Sequence, residues 1–116
     1  MVKVSDLLKD DIIYGFCINT QTLEIYQVDH VTLTEVHFHT IIGAESFYME
    51  FPKELDLEKP VLCKYEETCW WVYTINFDSL KHLMEVDWNG LYWLEQYIFY
   101  FDKYLDIWTQ TIHKLK

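Results

Sequence analysis

The sequence predicts an α+β domain: an antiparallel β-meander of about six strands, arranged as three hairpins, packed against a long C-terminal helix. Three observations lead there. Hydrophobic alternation of period two runs almost without pause from residue 12 to residue 77, interrupted by short turn-like segments. From Asn89 to Lys116 the apolar residues recur instead at helical spacing. The chain has 116 residues, 51% apolar and 18% aromatic, enough to bury one core without disulfides or metal. Residues 1–116 therefore read as a single domain.

Ser5-Asp-Leu-Leu-Lys predicts a short N-terminal helical turn with Ser5 as its cap. Ile12–Ile18 and Leu23–Val28 form the first hairpin around Asn19-Thr-Gln-Thr22, with Ile18 set opposite Leu23. One face then holds Tyr14, Phe16 and Ile25; the other holds Ile13, Cys17, Glu24, Tyr26 and Val28. Apolar residues on both faces predict cover on both sides.

The second hairpin joins Thr32–Ile42 to Phe47–Phe51 through Gly43-Ala-Glu-Ser46. Setting Ile42 opposite Phe47 puts Phe38, Thr40, Met49 and Phe51 on one face, with His37, His39, Tyr48 and Glu50 on the other. Pro52 to Pro60 is charged and bracketed by prolines, so it reads as a loop. Val61–Glu66 and Trp70–Phe77 make the third hairpin, with Trp71, Tyr73 and Ile75 facing one way and Trp70 and Val72 the other. A short helix, Ser79–Glu85, follows, capped by Asp78 and striped with Leu80, Leu83 and Met84.

On a wheel of 100° steps, the final helix shows a broad apolar arc that includes Trp93, Tyr97, Phe101 and Trp108 and is expected to hold the sheet. Two aromatics, Tyr92 and Phe99, fall on its polar side near Glu95, Asp102 and Asp106. Aromatic anchors rimmed by acids suit a partner hot spot. The three acids would form a ridge with gaps of roughly 10 and 6 Å. Tyr92, Glu95, Phe99, Asp102 and Asp106 are therefore the expected partner-binding residues.

Charge narrows the partner. Nineteen acids face nine basic residues, all lysine, for a formal net charge of −10. Direct nucleic-acid binding needs a basic footprint, and an anionic membrane surface repels such a chain. A basic protein partner is favoured instead. A second acidic patch is expected from Glu45, Glu50, Glu54, Asp56 and Glu58, tempered by Lys53 and Lys59. Of Trp70 and Trp71, one is expected in the core and the other outward as an anchor. No apolar run is long enough for a membrane span or a secretory signal, so a cytoplasmic protein with reduced thiols is expected.

Catalytic and cofactor chemistry finds little support. His37 and His39 share a strand face, and Glu50, His30 or Glu35 could complete a ligand set, yet the spacing of known zinc sites is missing. No metal is expected. Cys17, Cys63 and Cys69 lie in apolar contexts, away from a nucleophile elbow. Gly15, Gly43 and Gly90 are the only glycines, too few for a phosphate-cradling loop. The adjacent acids Asp10-Asp11 and Glu66-Glu67 point to opposite strand faces. No enzyme and no cofactor are expected.

In its style, short, acidic, arginine-free and aromatic-rich, the chain resembles the small inhibitors carried by phages and mobile elements. Anti-CRISPR proteins, anti-restriction proteins and uracil-DNA glycosylase inhibitors belong to that group. The resemblance implies a non-enzymatic inhibitor that blocks a basic, nucleic-acid-handling host protein with carboxylates standing in for phosphates. An immunity protein or antitoxin with a cognate toxin, and a homodimeric accessory protein, are the alternatives. The first would be marked by a toxin gene alongside, the second by self-association.

Overall fold

A computed structural model describes residues 2–65, 69–85 and 112–115. Over these residues the protein is mainly antiparallel β-sheet. The strands are β1 (Ile12–Cys17), β2 (Thr22–Val31), β3 (Glu35–Thr40), β4 (Ser46–Glu50), β5 (Val61–Tyr65), β6 (Cys69–Thr74) and β7 (Ile112–Lys114). They form one sheet in the order β5-β6-β1-β2-β3-β4-β7. The two edges curl toward each other, so that β7 approaches β5 and the sheet makes a half-barrel.

This corrects the α+β expectation. The chain at 112–114 is a strand, not the last turn of a helix reaching Lys116. Met49 pairs with Ile112 and Phe47 with Lys114, so these backbone groups bond to β4 rather than to a preceding helical turn. Without β7, β4 would present an unpaired edge, and the β-branched Ile112 suits a strand better than a helix end. The rest of the predicted helix, 89–111, lies outside the described residues. The meander is also corrected. Hairpin β5–β6 adds to β1 and not to β4, with Tyr14 opposite Thr74 and Cys17 opposite Trp71.

Among the described residues, one α-helix occurs, α1 (Phe77–Met84), and the predicted N-terminal helix is a 3-10 turn over Val4–Asp6. Asp6, not Ser5, ties that turn, its carboxylate accepting the Lys3 N–H at 3.1 Å. Asn76, not Asp78, caps α1: its side-chain oxygen accepts the Asp78 N–H at 3.1 Å.

Alternation sorts the side chains into two cores. Ile13, Tyr26, Val28, Val36, Phe38, Met49, Cys63 and Tyr73 fill the concave face. Phe16, Ile18, Leu62 and Val72 lie on the convex face under Leu80 of α1. Strand β1 is thus buried on both sides, as its double apolar pattern requires.

The Pro-bracketed connector is more than a loop. Leu57 in its middle is fully buried, and Val4 N–H bonds to Leu55 C=O at 3.0 Å while Leu57 N–H bonds to Val2 C=O at 2.9 Å. The N-terminal segment and the connector thereby close one end of the half-barrel. The opposite end carries the β1–β2 and β3–β4 turns and is open among the described residues.

Candidate functional site

At the open end the concave face becomes a pocket of about 270 Å³. Tyr26, Tyr73, Phe47 and Thr40 make its floor, and Glu24, Ile42, Glu45, Trp71 and Lys114 make its wall and rim. Six segments contribute, and the strand order brings them together. Pairing of β6 with β1 sets Trp71 and Tyr73 across from β2, while β7 brings Lys114 beside Phe47.

The floor is aromatic and neutral. Tyr26 and Tyr73 lie 5.8 Å apart between ring centroids, Trp71 stacks on Tyr73 at 5.9 Å, and Phe47 meets the Tyr26 ring edge-on at 6.0 Å. Burial raises both tyrosines above the ordinary range of a phenol. Gly15 makes this possible. A Cβ there would stand 2.7 Å from Tyr26 Cε2 and 2.8 Å from Tyr73 Cε1, so the two rings occupy the space of the missing side chain.

The rim carries charge. Lys114 Nζ pairs with Glu45 Oε2 at 3.0 Å, and Thr40 Oγ1 anchors the turn by accepting the Glu45 N–H at 2.9 Å. Glu24 projects from the inward parity of β2, in line with Tyr26 and Val28, and its carboxylate meets no cation among the described residues. Ile42 at the mouth and further apolar side chains at the same end, Ile25 on the outer face, stand in solvent. Ile42 is 88% exposed, Ile41 51%, Ile25 39% and Leu115 38%. Ile41 N–H bonds to Ile25 C=O and Leu115 N–H to Ser46 C=O, each at 3.0 Å.

The predicted histidine pair is also placed. His37 and His39 do share the convex face, but each closes on its own acid: His37 Nε2 lies 2.9 Å from Glu35 Oε1, and His39 Nδ1 2.7 Å from Asp29 Oδ1. A bulge between Val28 and His30 turns Asp29 and His30 to the same side. His30 then stacks on His37 at 4.3 Å, and His37 on Tyr48 at 5.5 Å, giving a row of rings across three strands. Among the described residues no group of three or more His, Cys, Asp or Glu side chains converges as metal ligands.

The expected partner-binding residues Tyr92, Glu95, Phe99, Asp102 and Asp106 lie outside the described residues. The second acidic patch is not assembled: Glu45 sits at the mouth with Lys114, whereas Glu54 pairs with Lys3 at 2.7 Å at the closed end. Sequence reasoning missed the mouth. Its one visible signal was Glu24, an acid on the same strand parity as Tyr26 and Val28, where an apolar residue was due. No helix among the described residues is long and apolar enough to cross a membrane. Comparisons with protein-family models, curated proteins and solved structures find no match.

Proposed function

We propose that this chain is a non-enzymatic binding protein that engages, and so blocks, a basic nucleic-acid-handling protein through the open end of its half-barrel. The observation that carries the reading is the aromatic-floored pocket with the Glu24 carboxylate at its rim. At about 270 Å³ it lies just below the range of ligand pockets, which typically span about 300–1,000 Å³, and its size suits one inserted side chain. A lysine or arginine fits its chemistry. The alkyl stem lies along the faces of Phe47 and Trp71, and the cationic head meets Glu24 with support from the rings. The exposed Ile42, which lines the pocket, supplies an apolar wall beside such an anchor. A net charge of −10 steers a basic surface toward the site.

Titration with short lysine and arginine peptides, followed by two-dimensional NMR, tests this reading. Shifts centred on Glu24, Phe47 and Trp71 are expected, weakening as salt rises and falling at least several-fold in Glu24→Gln. A glutamate peptide of equal length serves as control. Equal binding of both peptides, or shifts that avoid the mouth, would overturn the proposal. Sedimentation of the chain alone gives the self-association outcome, in which the exposed apolar side chains of this end pair with a second copy.

A further inference from the structure

Behind the wall of the mouth, two thiols face each other across strands. Cys17, at the end of β1, is 2% exposed, while Cys69, at the start of β6, is partly exposed. Their sulfurs are 3.8 Å apart, although the residues are 52 positions apart in sequence. The indole N–H of Trp71 donates to Cys69 Sγ at 3.2 Å and holds that sulfur in place. Cys17 pairs with Trp71 across the ladder, so Cys69 lies one step further along on the same face. Cys63 is different: it is fully buried, and its thiol points at the Val61 carbonyl at 3.9 Å.

We propose that Cys17 and Cys69 form an oxidisable dithiol, a modification site at which a low-molecular-weight disulfide such as oxidised glutathione closes a bond between β1 and β6. The accessible Cys69 attacks as thiolate, forms a mixed disulfide and releases one thiol. The Cys17 sulfur then attacks Cys69 Sγ and displaces the second thiol. The small disulfide is reduced to two thiols, which take up the two protons, and the cysteine pair is oxidised. A disulfide needs sulfurs about 2.05 Å apart, and the two sulfurs, on diagonal neighbours of one sheet face, close on each other from 3.8 Å as the strand ends draw in. The bond would fix the pairing of β6 with β1, the non-local contact on which the mouth depends. It would also change the sulfur that accepts the Trp71 N–H.

The folded, full-length chain is incubated with oxidised glutathione, quenched with iodoacetamide and analysed by intact mass and peptide mapping. Of its three thiols, one is expected to remain, Cys63, together with a peptide linking Cys17 to Cys69 and a higher melting temperature. Cys69→Ser keeps its two remaining thiols reduced. Cys17→Ala stops at a glutathione adduct on Cys69, which shows that Cys69 attacks first. Stable adducts on both cysteines, a link that includes Cys63, or three unreacted thiols in the folded protein would each overturn the proposal. None of these outcomes bears on peptide binding at the mouth, which is read separately on the reduced protein.

Discussion

Tyr26 and Tyr73 come from strands on opposite sides of β1, yet their rings meet, with centroids 5.8 Å apart and planes inclined by 46°. They meet over Gly15, the one position of β1 that offers no side chain. Both rings are buried and cannot swing away freely. Gly15→Ala is therefore expected to cost about 1–3 kcal/mol, the usual penalty for overfilling a core. Gly43→Ala tests a different cause. Space is open there, with only Thr40 Oγ1 within reach at 3.9 Å, but φ is +92°, so a cost of about 1 kcal/mol from backbone strain is expected. Urea unfolding measures both; a neutral Gly15→Ala would mean that the tyrosines are not packed over β1.

The same pair sets a pH limit. Burial raises both phenols in the folded state, while in the unfolded chain they ionise near 10.0. Above that pH the unfolded state binds fewer protons than the folded one, so stability falls as pH rises. It is fully present below about pH 10 and is lost from there toward the raised folded values, at up to about 1.4 kcal/mol per pH unit for each tyrosine. Nine tyrosines are present. Absorbance titration should show Tyr26 and Tyr73 ionising only with loss of near-ultraviolet circular dichroism. Tyr73→Phe should flatten the alkaline slope. An unchanged slope in that variant would remove the tyrosine pair as its source.

What the sequence makes legible is which face a side chain takes, and less reliably its partner. Alternation puts Phe38, Thr40 and Met49 on one face and His37, His39 and Tyr48 on the other, and both sets are found so. The register is another matter. Ile42 opposite Phe47 was the expected pairing, but Phe38 holds that place, because residues 41–45 form a longer turn with Gly43 and Ala44 at positive φ. In the first hairpin Phe16, not Ile18, faces Leu23. Both slips are by an even number of residues, so every side chain keeps its face. Strand order has no local signal at all. Nothing in Val61–Thr74 announces that it pairs with β1, yet that pairing brings Trp71 and Tyr73 to Glu24 and Tyr26. The mouth was therefore hidden, and the predicted site fell on the helical periodicity of 89–116, whose last residues form β7.

Thr74 joins three elements with one hydroxyl. It is fully buried, donates to Leu57 C=O at 2.8 Å and accepts the Asn76 N–H at 3.0 Å. Thr74→Val keeps the shape but takes the acceptor from the Asn76 N–H and one of two donors from the Leu57 carbonyl, which retains the Ile75 N–H. A loss of about 1–3 kcal/mol is expected, with Thr74→Ser recovering most of it. If valine and serine behave alike in chemical denaturation, the hydroxyl has no structural role. Asn76→Ala, which removes only the cap of α1, should cost about 1 kcal/mol.

Leu57 decides whether the charged connector belongs to the core. Its neighbours Asp56, Glu58 and Lys59 give the segment the composition of a solvated loop, but its own side chain is 0% exposed. Its amide bonds to Val2 C=O and its carbonyl accepts the Ile75 N–H, both at 2.9 Å, so it lies between the N-terminus and the strand end that leads to α1. Leu57→Ala should then behave as a core truncation and cost about 2–5 kcal/mol, because a cavity enclosed on both sides cannot collapse easily. Leu33→Ala, in the β2–β3 turn and 77% exposed, should stay within about 0.5 kcal/mol. Equal small losses at both sites would mean that the connector peels away from the half-barrel and that the closed end is not closed in solution. Amide exchange at Leu57 gives a second reading of the same point: its N–H should exchange with the strands and not with the turns.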